Sequence, residues 1–230
     1  MLPRRSFLSR LGIGAPALGG AVTSGALASE AQAASGGSWK PARHGQDDWL
    51  DRVGGKHRFL FDTTTANGFG QALVYVNNYL GQNQSAYGLH DDDLAVIIVA
   101  RHHSTPYAFN DAMWAKHSAG LTQLAGLNDP NTKQPPTVNL YNSSAHRDGL
   151  FNRGIMLDEL LKRGVHLAVC QVGTFNAASM IAASQGGDIP AIIAELTANR
   201  LANSHMVPAG IVAINRAQER GYSFTYVAGP

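Results

Sequence analysis

The only cysteine of this 230-residue chain, Cys170, closes the run Val165-His166-Leu167-Ala168-Val169-Cys170. Gly164 and Gly173 bracket that run, and its alternation and β-branched content predict a short buried strand. From Thr174 the chain turns to Thr-Phe-Asn-Ala-Ala-Ser-Met-Ile-Ala-Ala-Ser, which predicts a helix with Thr174 as its cap. A thiol between a strand's carboxyl end and a helix's amino end occupies the place where open α/β sheets bind ligands. Thiolate is the nucleophilic form of cysteine, and a helix amino end, Arg or protonated His favours it. If the strands are parallel, Asp62 and the run Arg101-His102-His103 come to that same edge. Asp62, Arg101, His102, His103 and Thr174 are therefore the candidates for tuning the thiol or binding its substrate.

Each of these residues also has a plainer reading. A free cysteine packs readily as a small hydrophobe and is then inert. His102 and His103 can cap a loop, or hold a small ligand or a metal, and Asp62 can bond the amides of Thr64 or Thr65. Other chemistries are excluded by missing patterns. Gly-x-Ser-x-Gly, His-Glu-x-x-His and Cys-x-x-Cys do not occur. Gly68-Phe69-Gly70 lacks the third glycine of a dinucleotide loop, and Asp91-Asp92-Asp93 lacks the spaced ligands of a calcium loop. No cofactor is expected.

The elements that must position these side chains alternate between strand and helix. Strands are predicted at 57–62, 94–100, 165–170 and 222–227, with a short extended piece at 206–210 and a small strand at 138–141. The stretch Leu94-Ala-Val-Ile-Ile-Val-Ala100 is continuously apolar, as in a parallel strand covered on both faces. Helices are predicted over 69–80, near 110–114, over 150–161, from 174, over 189–201 and over 211–220. Residues 119–149, rich in Gly, Asn, Pro and Ser, read as a long excursion over the site or at an oligomer contact. This alternation predicts one α/β domain over 56–230, with a mostly parallel sheet of about five strands and helices on both faces. Residues 34–55 read as a leader.

The amino terminus reads as an export signal. Arg4-Arg5-Ser6-Phe7-Leu8 has the arginine pair and apolar followers of a twin-arginine signal, and Ala31-Gln32-Ala33 offers a cleavage site. The expectation is export to the periplasm through the twin-arginine translocon, with cleavage near Ala33. Without residues 1–33, basic and acidic residues balance at 15 each, which leaves no basic surface for nucleic acid. A lone thiol in an oxidising compartment is inert, reactive or paired between chains.

Leu157-Asp-Glu-Leu-Leu-Lys-Arg-Gly-Val-His-Leu-Ala-Val-Cys-Gln171, with Val207-Pro-Ala-Gly-Ile-Val-Ala-Ile214 and Gln218-Glu-Arg-Gly-Tyr222, resembles the DsrE/DsrF-like sulfur-relay family. More narrowly, the chain is similar to its exported, twin-arginine-tagged members. The likeness is best over 150–228, looser over 56–118, and absent from the excursion between. It implies a flavodoxin-like three-layer sandwich, assembly into trimers or hexamers, and a role for Cys170 as acceptor and carrier of sulfane sulfur. The sulfur donor and acceptor would be the partners. The alternative is a non-catalytic oligomeric binding protein holding a small ligand or metal near His102 and His103. Tyr107, Phe109, Met113 and Trp114 crowd one segment, as residues at an interface or as a lid on the core.

Overall fold

The computed structural model describes residues 39–142 and 148–229. The expected export signal and its cleavage site lie outside them. Five parallel strands form one sheet in the order β4-β3-β2-β1-β5. They are β1 His57–Thr63, β2 Leu94–Ala100, β3 His166–Cys170, β4 Ser204–Val207 and β5 Ser223–Val227. Every residue of β2 is buried, because the strand lies at the centre of the sheet with helices on both sides. Each large aliphatic side chain so placed contributes about 1.5–3 kcal/mol. The expected α/β class, strand number and parallel pairing all hold, and the architecture is a flavodoxin-like sandwich.

The two faces are covered unequally. Phe61, Val96, Ile98, Leu167 and Val169 face a core shared with α2 (Ala66–Tyr87), α3 (Asp111–Ala125), α4 (Leu157–Lys162), α5 (Gln171–Gln185) and α6 (Ile189–Ala198). Leu60, Ile97, Val99, Ala168 and Val207 face a smaller core with α1 (Trp49–Arg52) and α7 (Gly210–Gln218). Trp49, Leu50 and Val53 are buried in that second core. The stretch expected as a leader over 34–55 is therefore part of the fold from α1 onward. No helix among the described residues is long and apolar enough to cross a membrane.

Several expected boundaries move. The short helix at 110–114 continues to Ala125 through a kink at His117, so the excursion begins after Ala125 rather than at 119. Within it, residues 139–141 plug the larger core. Tyr141 Oη donates to the Ala66 carbonyl at 2.7 Å, and Asn139 Nδ2 donates to the carbonyls of Tyr107 and Phe109. No strand forms over 138–141. The helix expected over 150–161 shrinks to α4, because Arg153 and Gly154 take φ of +50° and +81°. Leu150 and Leu157 are still buried, one from a turn and one from the helix. Tyr107, Phe109, Met113 and Trp114 are core residues, with Trp114 Nε1 donating to the Pro106 carbonyl. The interface reading of that segment is overturned.

Candidate functional site

The parity of the strands decides which side chains meet at the carboxyl edge. Val169 pairs with Ala100 in the register of β3 and β2, so Cys170 and Arg101 are the next neighbours across the two strands. Val169 and Ala100 face the larger core, which turns Cys170 and Arg101 to the α7 side. Asp62 follows Leu60 on that same side of β1. Thus Asp62, Arg101 and Cys170 share one face at one edge, as the sequence predicted.

Arg101 and Asp62 form a bidentate pair, with Nε donating to Oδ1 at 2.7 Å and Nη2 to Oδ2 at 2.8 Å. Asp62 is 2% exposed and the Arg101 side chain 18%. The carboxylate holds the Arg101 guanidinium above its usual range, opposed by burial, and Tyr226 and Cys170 act on it in the same direction as Asp62. Nη1 has no hydrogen bond among the described residues, so its two N–H groups and the second N–H of Nη2 are left for a ligand. Because one edge of the fork is matched by a carboxylate, the corner carries a nearly neutral ion pair with N–H donors still unpaired on its other side. Asp62 does not bond the Thr64 or Thr65 amides.

The end of β2 is fixed by Ser104. Its Oγ accepts from the Arg101 amide at 2.9 Å and lies 2.9 Å from the Thr63 carbonyl and 2.8 Å from the Arg101 carbonyl. Thr63 Oγ1 reaches both the Val99 carbonyl and Ser104 Oγ. These buried hydroxyls tie the ends of β1 and β2 together and aim Arg101. Sequence reading missed them, although a Ser and a Thr flanking two strand ends is the pattern of side chains that bond backbone there.

Cys170, 6% exposed, is itself the cap of α5. The Gly173 amide donates to Sγ at 3.3 Å, while Thr174 Oγ1 donates to the Cys170 carbonyl at 3.0 Å. The expected cap, Thr174, lies inside the first turn and steadies the backbone under the thiol instead. Gly173 is required by proximity, since a Cβ there would meet Thr105 Oγ1 at 2.1 Å. Gly210 plays the same part at the start of α7, where a Cβ would lie 2.7 Å from Arg101 Cδ. Two helices thus begin beside the Cys170–Arg101 row, and their positive ends favour an anionic group placed between them. The rim is apolar, with Val172, Phe175 and Ile211 exposed. Tyr226, whose hydroxyl is 2.7 Å from Thr64 Oγ1, completes it on the β5 side.

His102 and His103 do not join this row. Beyond Arg101 the chain leaves the strand for a turn of 3-10 helix, with His102 at φ +53°. Both imidazoles line a separate groove of about 300 Å³ with Leu124, Asn176, Ser179 and Met180 between α3 and α5. His103 Nδ1 contacts the Leu124 carbonyl at 2.5 Å. No cluster of three or more His, Cys, Asp or Glu suited to a metal ion occurs among the described residues.

A second histidine pair was not anticipated. His166 Nδ1 and His205 Nε2 are 3.0 Å apart, and His205 stacks on Trp49 at 4.1 Å. Burial, followed by the neighbouring His166, pushes His205 down to about 4, and burial lowers His166 as well. Their register with Ile97 and Ala168 puts them on the face of Cys170, further down the strands. Only the pairing of β3 with β4 brings them together, and no local pattern signals it.

Comparison with known proteins found no matching family model, no matching curated protein and no matching solved structure.

Proposed function

We propose that this protein accepts and passes on sulfane sulfur through Cys170. The observation that supports the reading is the thiol's position. It caps α5, receives the Gly173 amide on Sγ, and lies one strand from Arg101 at the carboxyl edge of a parallel sheet. A thiolate there attacks the outer sulfur of a persulfide donor R–S–SH. The new bond is Cys170 Sγ–S, the donor's S–S bond breaks, and R–S⁻ leaves with its electron pair. With thiosulfate the leaving group is sulfite, and no external oxidant enters either step. Arg101 Nη1 is placed to hold an anionic oxygen or sulfur of the donor, and the helix ends add to that hold. Transfer onward reverses the same exchange with an acceptor thiol.

The resemblance to the DsrE/DsrF-like family supports the same chemistry and adds export by the twin-arginine route, residence in the periplasm, and trimeric or hexameric assembly. These belong to the proposal. Intact-mass measurement after exposure to polysulfide or thiosulfate tests it: one added sulfur, about 32 Da, is expected on wild type and absent from Cys170→Ser. No addition under any sulfane donor removes the carrier reading.

The second reading, binding of a small ligand or metal at His102 and His103, is favoured by the separate groove and by the left-handed backbone at His102, a conformation enriched at binding sites. Metal analysis of wild type against His102→Ala/His103→Ala decides it. Bound metal that vanishes in the double variant supports the groove as a site.

A further inference from the structure

The two edges of the sheet are finished differently. At the β4 edge, Trp49 stacks over His205, Arg200 Nε donates to Ser204 Oγ, and Phe109 bridges to Arg200. At the β5 edge, Ser223, Phe224 and Tyr226 are exposed, and Thr225 is half-buried. Natural edge strands are commonly guarded by lysine, proline or a bulge. Residues 221–229, Gly-Tyr-Ser-Phe-Thr-Tyr-Val-Ala-Gly, contain no charged residue and no proline. The register with Leu60 and Asp62 sets Phe224 and Tyr226 on the α7 side. On the opposite side, Thr225 borders an apolar groove of about 430 Å³ lined by Phe59, Phe61, Tyr79 and the exposed rings Tyr75 and Tyr87.

We propose that this edge seats a second copy of the chain, β5 pairing antiparallel with β5 of its partner about a two-fold axis at Thr225. The strand's own order argues for a second copy over any other occupant. Around that axis Thr225 faces its counterpart, and Phe224 faces the partner's Tyr226 on both sides of the axis. Aromatic pairs directly opposite one another are among the favourable cross-strand contacts. The absence of charge means that two identical edges meet without repulsion. The area is also of the right order. Phe224, Tyr226, Tyr75 and Tyr87 are 40%, 49%, 47% and 76% exposed. With roughly 200 Å² per ring, they offer about 400 Å² per copy before any backbone is counted, half of a standard contribution. The pairing joins two sheets into one of ten strands. It also brings the partner's Phe224 against Tyr226, whose hydroxyl bonds Thr64 at the rim of the Cys170 corner. The proposal does not depend on the sulfur chemistry at Cys170; of the two assemblies that the family resemblance implies, it admits the hexamer and excludes the trimer.

Sedimentation of the protein at micromolar concentration tests this, alongside Thr225→Lys, which opposes two ammonium groups at the axis. An even number of chains is expected for wild type, halved in Thr225→Lys with the circular dichroism and melting curve retained. Thr225→Cys in a Cys170→Ser background supplies a variant that needs no disruption. Under mild oxidation it is expected to form a covalent dimer, since residues facing across such a pair are close enough to bridge. A wild-type mass of one chain or of three overturns the proposal. So does a mass that Thr225→Lys leaves unchanged, or a Thr225→Cys variant that stays single under oxidation.

Discussion

The Cys170 corner and the groove of His102 and His103 leave the same end of the sheet one residue apart, and they are built on different principles. Asp62 and Cys170 stand on strands and Arg101 directly follows one, so register fixes their side, and buried hydroxyls from Thr63 and Ser104 hold the strand ends. The histidines follow Arg101, lie on a 3-10 turn and are exposed. The difference teaches that closeness in sequence at a strand end says little about sharing a site. Strand parity assigns a face up to Arg101, and the turn after it sends the next two side chains to the opposite layer.

The contrast is sharpest in stability. Asp62→Ala leaves the Arg101 guanidinium without its carboxylate in a mostly buried place, and a loss of about 3–5 kcal/mol is expected. His102→Ala/His103→Ala removes exposed rings and is expected to cost under about 1 kcal/mol. Urea unfolding of both variants checks this, and equal losses would break the distinction between a built corner and an open groove. Gly173→Ala comes next. The methyl group would meet Thr105 Oγ1 at 2.1 Å, so the start of α5 must shift, at about 1–3 kcal/mol. If that variant melts like wild type, the close seating of α5 beneath Cys170 is wrong.

A smaller effect comes from acid. His205 is lowered to about 4 in the folded protein from an ordinary value near 6.5, by burial first. Above 6.5 neither state binds the proton, so nothing is lost. Between 6.5 and about 4 the unfolded chain gains it and the folded one does not, and stability falls as pH falls across that window. Discounted for the ring's half exposure, the loss is on the order of 1–2 kcal/mol. His205→Phe, which keeps a ring against Trp49, should flatten the profile, and an unchanged slope would assign it to other groups. The smallest effect is at His102, where φ +53° suits glycine. His102→Gly relieves that strain but loosens the unfolded chain, so its melting temperature is expected to stay within a few degrees of wild type.

Much of the corner was legible because it depends on patterns that the chain repeats locally. The apolar run of β2 marks a central strand, and Cys170 ends a run whose alternation places it on a face. That Asp62 and Arg101 form a pair could not be read, since it needs β1 beside β2 in register. The same limit hid His166 against His205 and Gly210 against Arg101. The helix expected over 150–161 failed for another reason. Leu150, Leu157, Leu160 and Leu161 do share a core, but left-handed backbone at Arg153 and Gly154 lets a turn deliver Leu150 to it. Periodicity recorded the burial and not the conformation. Trp114 and Tyr107 read equally well as interface or core until the plug of Asn139 and Tyr141 was seen to close over them.

The central claim is that Cys170, though only 6% exposed, is open to chemistry in the folded protein. The most direct measurement is the rate at which iodoacetamide modifies Cys170 in the native protein, followed by peptide mass spectrometry and set beside the rate in denaturant. Labelling of the native protein within an order of magnitude of the unfolded rate is expected, with prior loading of sulfane sulfur shifting the label onto the added sulfur. Labelling only at the rate of global unfolding would contradict the account and make Cys170 an inert cap of α5.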